Sequence, residues 1–372
     1  MGPSYPEGYP RIKTRPRFSG LPGFMVVVLL LLPGCTSLHY YGQAIDGEWS
    51  LLAHSTPIAQ VLRQPGIPAA LRQRLTLVLA ARRFAKDQLH LHPKDSFLRY
   101  TAAPGPYLVW NVFAARPLST RLHVWCFPVA GCVPYRGYFS KTQAQTYARR
   151  LRRRGYDVYI GGAPLFSTLG WLPDPVPGTL LYYPRPTVVA LIFHELAHAL
   201  IYLPGDARFN ESFAVTVQNV GTLRWLRAHH ELQAVATYEA AAQANLRFGA
   251  LVQHVRDQLR DLYRQPLPKR QRLRAKQALL RAMAPRLQQA SGIAGRHWNN
   301  ATLGALATYT DEVPAFECLL AREHGHLGPF YETVKRWAKL PPDRRAAALH
   351  QALKGCRRRP ATPRAPGASH KP

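Results

Sequence analysis

Apolar residues recur along much of this chain every three or four positions, the spacing of amphipathic helices. Proline and glycine interrupt the pattern at Gln64-Pro65-Gly66 and Pro68, and again at Pro266 and Pro268, and each interruption predicts a boundary between helices. The segments predicted to be helical are Gln43–Leu62, Ala69–Lys86, Thr142–Arg154, Glu231–Tyr263, Lys269–Ala290, Ala301–Leu320 and Phe330–Ala338.

A second pattern, rich in β-branched and aromatic residues, predicts strands in the first half of the chain. Tyr107–Ala114 and Arg121–Phe127 are separated by a proline-containing turn and are expected to pair, and Asp157–Ile160 is a further short strand. Gly161–Pro186, rich in proline and glycine, is predicted to be a loop. Because strands come first and only helices follow, we predict an α+β fold with a small mixed sheet.

One apolar run, Val188–His198, contains the sequence His-Glu-x-x-His and suits a buried helix. Residues four apart lie on the same face of a helix, so His194 and His198 can both point at one metal ion. Glu195 is placed to reach a water molecule on that metal. A catalytic zinc site needs a third protein ligand, and Glu211, with twelve residues between it and His198, is the candidate.

The alternative for this run is a core helix whose histidines are merely hydrogen-bonded. Burying two imidazoles and carboxylates among apolar residues is costly without a partner, so we favour Zn²⁺. Glu195 would then act as the general base. Tyr309 is the candidate donor to the developing oxyanion, although a surface or core packing role is the commoner one for a tyrosine. Asp311, Glu312 and Glu239 are carboxylates that could bind an amine of a substrate, and the sequence does not choose among them.

The segments H-E-L-A-H (194–198) and N-E-S-F-A (210–214) resemble the gluzincin peptidases, in which a glutamate on the following helix completes the zinc site. The chain is also similar, from residue 40 to about 335, to a bacterial family of exported proteins described as predicted aminopeptidases. The resemblance implies a zincin-like fold and zinc-dependent removal of N-terminal residues from peptides. The other shared stretches are Y-Y-G-Q-A-I-D-G (40–47), P-V-A-G-C-V-P-Y-R-G-Y-F (128–139), F-S-T-L-G-W (166–171) and N-N-A-T-L (299–303) through Tyr309.

Two positions depart from the pattern of these relatives. Thermolysin-like enzymes carry an aspartate four residues after the ligand glutamate, where it orients a zinc histidine, and this chain has Val215 there. Gln218 occupies a position where the closer family suggests a glutamate. The group that orients the histidine must therefore come from elsewhere in this chain.

The N-terminal residues Met1–Gly34 have the pattern of a secretory signal, with basic residues before the apolar stretch Phe24–Leu32. That stretch is too short to span a bilayer as a permanent helix. Cys35 follows as in a bacterial lipobox, which predicts lipidation of Cys35 and a periplasm-facing anchor, with Thr36 favouring the outer membrane. An ordinary cleaved signal and an uncleaved anchor are the alternatives.

The mature chain is expected to form one metallopeptidase domain over residues 35–340, followed by a disordered basic tail rich in proline and arginine over residues 341–372. Four cysteines besides Cys35 permit two disulfides in an oxidising compartment. The close pair Cys126 and Cys132 is plausible, and free buried thiols are the alternative.

The formal net charge is +29, and most of the basic residues are arginine. Nucleic-acid binding is not expected of an exported protein, so anionic envelope lipids or lipopolysaccharide are the candidate partners, besides peptide substrate and the membrane reached through the lipid anchor. Arginine spread over solvated helix faces, with no dedicated site, is the simpler explanation.

Two functions fit these features. The first is a zinc peptidase that uses His194, Glu195, His198 and Glu211; the second is a non-catalytic envelope lipoprotein with a structural metal site that binds anionic polymers or lipids. Glu195 favours the first, because a structural site has no use for a base at that position.

Overall fold

The computed structural model describes residues 35–103, 105–127, 131–169, 171–293 and 295–357 of the chain. The predicted signal peptide Met1–Gly34 and residues 358–372 of the predicted tail lie outside these ranges, as does the side chain of Cys35. Within the described ranges, no helix combines the length and the apolar character needed to cross a bilayer.

Three helices, α1 (Cys35–Ala53), α2 (Ile58–Arg63) and α3 (Ala69–Leu89), form the N-terminal part of the fold. The prediction of one continuous helix over Gln43–Leu62 is wrong, because the chain is extended between α1 and α2. Pro57 lies in that extended link and directly precedes α2. Inside a continuous helix its ring would clash with the carbonyl one turn earlier, which explains the break.

A small mixed sheet joins the extended link between α1 and α2 to two later segments of the chain. β1 (Thr56–Pro57) is antiparallel to β2 (Arg99–Thr101), and β2 is parallel to β8 (Val176–Pro177). The segment Gly161–Pro186, predicted to be a loop, therefore contains a short strand, and it also contains a 3-10 helix, Gly178–Tyr182.

A second sheet is antiparallel, with β3 (Val109–Ala115) between β6 (Arg136–Tyr138) and β7 (Asp157–Ala163). The expected pairing of Tyr107–Ala114 with Arg121–Phe127 is wrong, because these segments share one isolated bridge at the end of β3. β6 and β7 occupy both edges of β3, and β7 pairs with it along its whole length. Together they leave only the last residues of β3, on the β6 side, for the segment 121–127, which forms the single bridge between Ala115 and Leu122.

The two faces of this sheet pack against different helices. Val112 points to the side covered by α4 (Lys141–Arg153), and its neighbour Phe113 points to the side covered by α9 (Asn300–Thr308). This alternation is the period of two expected of a strand with both faces buried. The sheet thus forms a layer between the two helices.

A separate hairpin joins β4 (Trp125–Phe127) to β5 (Gly131–Val133). Cys126 and Cys132 face each other across it and form a disulfide. Of the two alternatives left open for this pair, the disulfide is therefore the one the structure has.

The centre of the main core is an antiparallel helix pair, α5 (Arg185–Leu200) and α6 (Ala207–Ala228). Gly221 lets α6 approach its neighbours closely, since a Cβ at this position would lie 2.7 Å from Leu89 Cδ1 and 2.8 Å from Phe193 Cδ2. The close approach fixes α6 relative to both α3 and α5.

The predicted long helical pair is present as α7 (Leu232–Arg264) and α8 (Lys269–Ser291). The two helices pack together and enclose a second hydrophobic core with α9. Its fully buried members are Val252, Val255, Leu259, Leu287 and Leu303.

The predicted helix Ala301–Leu320 is divided into α9 and α10 (Val313–Arg322). Pro314 lies in the first turn of α10, where a missing amide hydrogen costs nothing. Within a continuous helix the same residue would collide with the carbonyl four residues earlier, so the break has a local cause. The next helix, α11 (Leu327–Ala338), follows the prediction.

Residues 342–357, expected to be a disordered tail, form the helix α12 (Pro342–Arg357). A disulfide between Cys318 and Cys356 ties this helix to α10, and Arg345 binds Asp206 at 2.9 Å. One side of α12 also joins the main core. These contacts, all distant in sequence, order a segment whose composition alone suggested none.

The order of elements confirms the α+β prediction. In the described ranges, all strands precede α5, and only helices follow it. The small sheets lie before the histidine-bearing helix in sequence, as predicted.

Candidate metal site and its surroundings

α5 presents both histidines on one side. The helix begins directly after Pro184, and it is packed on its apolar side into the main core. His194 and His198 are one turn apart, and their Nε2 atoms lie 3.1 Å from each other. His198 is buried, and its Nε2 faces the Nε2 of His194 and the Glu211 carboxylate, so a cation between these three groups would offset the cost of burying them.

The tight loop between α5 and α6 is held by Asn210. Leu203 N donates to Asn210 Oδ1, and Asn210 Nδ2 donates to Leu203 O, both at 2.8 Å. Asp206 caps α6 by accepting a hydrogen bond from Phe209 N at 3.2 Å. These bonds place Glu211, the next residue, just after the first turn of α6 and facing α5. They also explain why asparagine stands directly before the candidate ligand: Asn210 holds the loop, and Glu211 then faces α5.

Glu211 completes a triangle of donor atoms with the two histidines. Its Oε2 lies 3.3 Å from His194 Nε2 and 3.6 Å from His198 Nε2. Donors that each lie about 2.0–2.1 Å from a tetrahedral zinc ion are roughly 3.3–3.4 Å apart. The observed separations of 3.1, 3.3 and 3.6 Å bracket that value. Among the described residues, this is the one group of three side chains able to hold a metal ion.

The electrostatics of Glu211 suit a ligand. Burial by itself would raise the pKa of this carboxyl, but His198 and His194 lower it to about 2 through their charge and hydrogen bonds. Glu211 is therefore a carboxylate at any pH at which a peptidase works, which is the form that binds a cation.

Gln218 orients His194 from behind. Gln218 Oε1 accepts a hydrogen bond from His194 Nδ1 at 3.1 Å, which leaves Nε2 with its lone pair toward the site. The amide is held in turn by Tyr238, whose hydroxyl accepts from Gln218 Nε2 at 3.4 Å and donates to Asn219 Oδ1 at 3.3 Å. The orienting group that Val215 cannot provide is therefore Gln218.

His198 has no such support. Its Nδ1 is buried and has no hydrogen-bond partner among the described residues. The ring of Tyr202 lies edge-on to the imidazole, with 6.4 Å between ring centres. The position of His198 is thus fixed by packing rather than by a polar contact.

Glu195 lies beside the triad formed by His194, His198 and Glu211 and is not part of it. Burial, together with the charges of Glu211 and Asp174, raises its pKa to about 7, and His194 opposes this rise. A carboxyl with a pKa near neutrality can both accept and return a proton at working pH. Glu195 therefore has the properties of a general base.

Three tyrosines surround the triad. Burial raises the pKa of Tyr309 and Tyr135 well above the usual value, and the nearby charges of Glu211 and Glu195 raise it further. Burial and Glu211 also raise the pKa of Tyr202. All three hydroxyls stay protonated and can donate a hydrogen bond. The sequence indicated Tyr309. Tyr135 was missed because no spacing links it to the motif, whereas Tyr202, four residues after His198, had a spacing that could have suggested it.

Two carboxyls near Glu195, those of Glu48 and Asp174, form no ion pair with a basic residue in the described chain. Glu48 Oε2 is buried without a hydrogen bond, and burial and the charge of Asp174 raise the pKa of Glu48 to about 7. Asp174 accepts hydrogen bonds from Ser167 at 2.9 Å and from Thr168 at 2.7 and 2.9 Å. Asp174 therefore shapes its own loop, and Glu48 is the carboxyl left to bind something else.

Two of the stretches shared with the resembling family, 128–139 and 166–171, meet beside these carboxyls. The rings of Phe139 and Phe166 are in edge-to-face contact, with 6.0 Å between ring centres. A Cβ on Gly47 would lie 2.0 Å from Phe139 Cδ2, so only glycine fits there. This contact brings Glu48 of α1 next to the loop that ends at Asp174.

Of the carboxylates considered for a substrate amine, two are already used by ion pairs. Asp311 is bound by Arg256 at 2.9 Å, and Glu239 is bound by Arg227 on the surface. Glu312 has a buried Oε2 without a partner, but Arg208 and Asp206 are among the charges that set its pKa. It lies on the α10 side and not beside Glu195.

Comparison with known proteins gives a family. A family model described as "putative aminopeptidase" matches residues 39–349, which is most of the chain. The chain belongs to this family. Membership supports peptide hydrolysis as the activity and peptides as the substrate class. Comparisons with curated proteins and with solved structures find no match.

Proposed function

We propose that this protein is a zinc-dependent aminopeptidase with a zincin-like catalytic centre. The observation that carries the proposal is the triangle of His194 Nε2, His198 Nε2 and Glu211 Oε2, whose edges fit a tetrahedral zinc site. Membership of the aminopeptidase family supports the reaction. Two neutral imidazoles, one carboxylate and an adjacent unligated glutamate form a donor set typical of catalytic zinc.

The residues around the triad divide the chemistry among them. A zinc ion held here would polarise the scissile carbonyl and supply an acidified water as the nucleophile. Glu195 takes the proton from the attacking water and passes it to the leaving amine. The hydroxyl of Tyr309, with Tyr135 or Tyr202 beside it, donates to the oxyanion that develops on the former carbonyl oxygen.

Removal of single N-terminal residues requires a group that recognises a free ammonium. Glu48 meets this need, because its buried oxygen has no hydrogen-bond partner and no basic residue influences its pKa. In a chain with 49 basic and 20 acidic residues, a carboxyl without a basic neighbour is unusual. A substrate ammonium would pair with the Glu48 carboxylate, with Asp174 adding to the negative potential there, and this contact would set the distance to the scissile bond.

The direct test combines metal analysis with a peptide library read by mass spectrometry. We expect about one zinc per chain and loss of single N-terminal residues. Glu195→Gln should retain the metal and lose cleavage, whereas Glu211→Ala should lose the metal. Normal cleavage by Glu195→Gln would refute the mechanism. Bound zinc with no cleavage of any peptide would favour the second function, a structural metal site in an envelope lipoprotein.

Substitution of Glu48 distinguishes removal of N-terminal residues from cleavage within a peptide. With Glu48→Gln we expect KM for peptides with a free N-terminus to rise at least tenfold, with a smaller change in kcat, because ammonium binding precedes the chemistry. Asp46→Asn, an exposed carboxylate on the same helix, is the matched control. Internal cuts in the library, unaffected by Glu48→Gln, would show an endopeptidase instead.

We further propose that Cys35 carries a lipid and anchors the protein to the bacterial envelope, facing the periplasm, more readily at the outer than at the inner membrane. The support is the basic and apolar pattern before Cys35. A Cys35→Ser variant should move from the membrane fraction to the soluble fraction and lose the mass of the acyl groups. Unchanged fractionation and mass would refute the anchor.

A further inference from the structure

A cavity of about 380 Å³ opens beside the candidate metal site. It lies between α6, α7, the end of α8 and α9. Gln218 and Tyr309 form its wall on the side of the site, and Val252 and Val313 line its buried end. Asn245 is exposed at the mouth. The cavity therefore connects the surface to the neighbourhood of the triad.

The cavity continues the face of α6 that carries Glu211. Val215 and Gln218 follow Glu211 at steps of four and three residues, so the three side chains lie in one row along the helix. Val215 and Gln218 line the cavity. Gln218 lies behind His194, so a peptide bound with its scissile carbonyl near Glu211 would place a neighbouring side chain in this space past Tyr309.

The lining of the cavity is apolar with a single charge. Its walls include Leu246, Phe248 and Leu306, and its polar groups are amides and hydroxyls. Arg296 is the one charged side chain among the described residues that line it. Arg296 is half-buried, with its guanidinium 5.7 Å from the ring centres of both Tyr159 and Trp298, so its position is fixed.

We propose that this cavity is the specificity pocket of the enzyme, that it accepts a large apolar or aromatic side chain flanking the scissile bond, and that Arg296 excludes lysine and arginine. The inference rests on the proposed peptidase function. Pockets of a few hundred Å³ with apolar walls and few polar groups are typical of sites for such ligands. A cationic side chain would have to approach Arg296 without a carboxylate to compensate it.

The opposite side of the site has the opposite charge. Glu48 and Asp174, near Glu195, are carboxyls without a basic partner in the described chain, whereas the cavity has only Arg296. A substrate with a free ammonium is therefore drawn to the Glu48 side and kept out of the cavity. The two sides together favour a single orientation of the peptide.

Ala242 offers a way to fill the cavity without disturbing the core. It lies on α7, is half-buried, and lines the space. Ala241, its neighbour, is exposed and does not line it. Ala242→Phe should occupy the pocket, and Ala241→Phe is the matched control. Arg296→Glu tests the role of the positive charge. Its matched control is Arg281→Glu, at an exposed residue outside this cavity.

The first measurement is kcat/KM of the zinc-loaded full chain for peptides that differ only in the residue at the cleavage site. We expect phenylalanine and leucine to exceed lysine by at least tenfold. Ala242→Phe should lower the value for phenylalanine at least tenfold, while alanine substrates are cleaved as before. Arg296→Glu should raise the value for lysine, and both control variants should behave as the unmodified chain.

The second measurement keeps failure of this inference distinct from failure of the proposed function. L-phenylalaninol and L-lysinol contain no scissile carbonyl, so their binding can be measured by calorimetry even if no peptide is cleaved. We expect tighter binding of phenylalaninol, at least tenfold, and its loss in Ala242→Phe. Equal binding of the two compounds, or unchanged binding of phenylalaninol by Ala242→Phe, would overturn the pocket assignment whether or not cleavage is seen.

Discussion

Gln218 is the residue on which the orientation of His194 depends, and it is not itself a candidate ligand. It holds Nδ1 of the histidine at 3.1 Å and is held by Tyr238. We expect Gln218→Ala to weaken zinc binding by about 10- to 100-fold, the usual effect of removing such a partner. Competition with a chelator would measure it. Asn245→Ala, which lines the neighbouring cavity without touching a histidine, is the control.

A glutamate at position 218 provides a sharper version of the same experiment. Gln218→Glu keeps an acceptor for His194 Nδ1 and adds a negative charge near the metal. We expect it to retain zinc at least as firmly as the unmodified chain. If both Gln218→Ala and Gln218→Glu bind zinc normally, the hydrogen bond to His194 has no role in holding the metal.

Glu312 should make stability depend on pH. Burial, with Asp206 and Asp311, raises the pKa of Glu312 to about 7 from 4.5, against the opposing charges of Arg208 and Arg345. The folded state therefore holds this proton more firmly than the unfolded state. The resulting stabilisation is complete below about pH 4.5 and is lost as the pH rises through 7.

Replacement of Glu312 by glutamine removes this titration. At pH 8 we expect Glu312→Gln to be more stable than the unmodified chain by about 1–3 kcal/mol, and at pH 5 the difference should largely disappear. Urea unfolding at the two pH values measures it. Glu332→Gln, an exposed carboxyl on α11, should show no comparable change. A glutamine variant that is less stable at pH 8 would contradict the buried, proton-binding role.

The candidate triad was predictable from the sequence at the level of residues, since a helical step of four places two histidines on one face. The structure brings Glu211 to them, as predicted. Glu48 and Tyr135 were not predictable, because only the tertiary packing of α1 and of the segment before β6 brings them near the site. Tyr202 could have been found, since it follows His198 by four residues, the same step that separates the two histidines.

At the level of elements, most helices were predictable because their apolar spacing and their prolines are local signals. The continuous helices predicted over Gln43–Leu62 and Ala301–Leu320 were wrong despite the local signals of Pro57 and Pro314, whereas the other errors have non-local causes. Residues 342–357 are ordered by contacts with α10 and α6, through Cys356 and Arg345, which no local pattern shows. The partner of β3 was misassigned because β6 and β7, from later in the chain, compete for its edges.

The Cys318–Cys356 disulfide should contribute strongly to the stability of the helical half. It closes a loop of 38 residues, for which chain entropy predicts about 4 kcal/mol. We expect the double variant Cys318→Ser, Cys356→Ser to unfold at clearly lower urea concentration. The Cys126–Cys132 disulfide spans only 6 residues and should contribute less, about 2 kcal/mol, so its double variant is the matched comparison.

The effect of the Cys318–Cys356 disulfide on zinc binding distinguishes two roles of α12: support of the metal site and a contribution to overall stability alone. Arg345 on this helix binds Asp206, and Asp206 caps the helix that carries Glu211. If α12 supports the site, loss of the Cys318–Cys356 bond should also weaken zinc binding. Unchanged zinc affinity in this double variant would limit α12 to a role in overall stability.

On the scale of the whole molecule, the dominant feature is a charge of +29, with 49 basic residues against 20 acidic ones. Several acidic residues already form ion pairs, such as Asp311 with Arg256 and Asp206 with Arg345, so the remaining surface is mainly basic. Like charges held together in a compact state repel one another, and this lowers the free energy of unfolding. At 0.1 M salt, repulsion between exposed charges more than about 10 Å apart is largely screened.

The unfolding midpoint should therefore rise as salt is added from about 10 to 300 mM, since the folded state gains more from screening than the expanded one. Thermal unfolding in sodium chloride and in sodium fluoride at equal ionic strength is the measurement. Screening of general repulsion gives the same rise in both salts, because it depends on ionic strength alone. A rise produced only by multivalent anions such as phosphate would instead indicate a dedicated anion site on the basic surface. A midpoint that falls with salt would mean that the ion pairs outweigh the excess of positive charge.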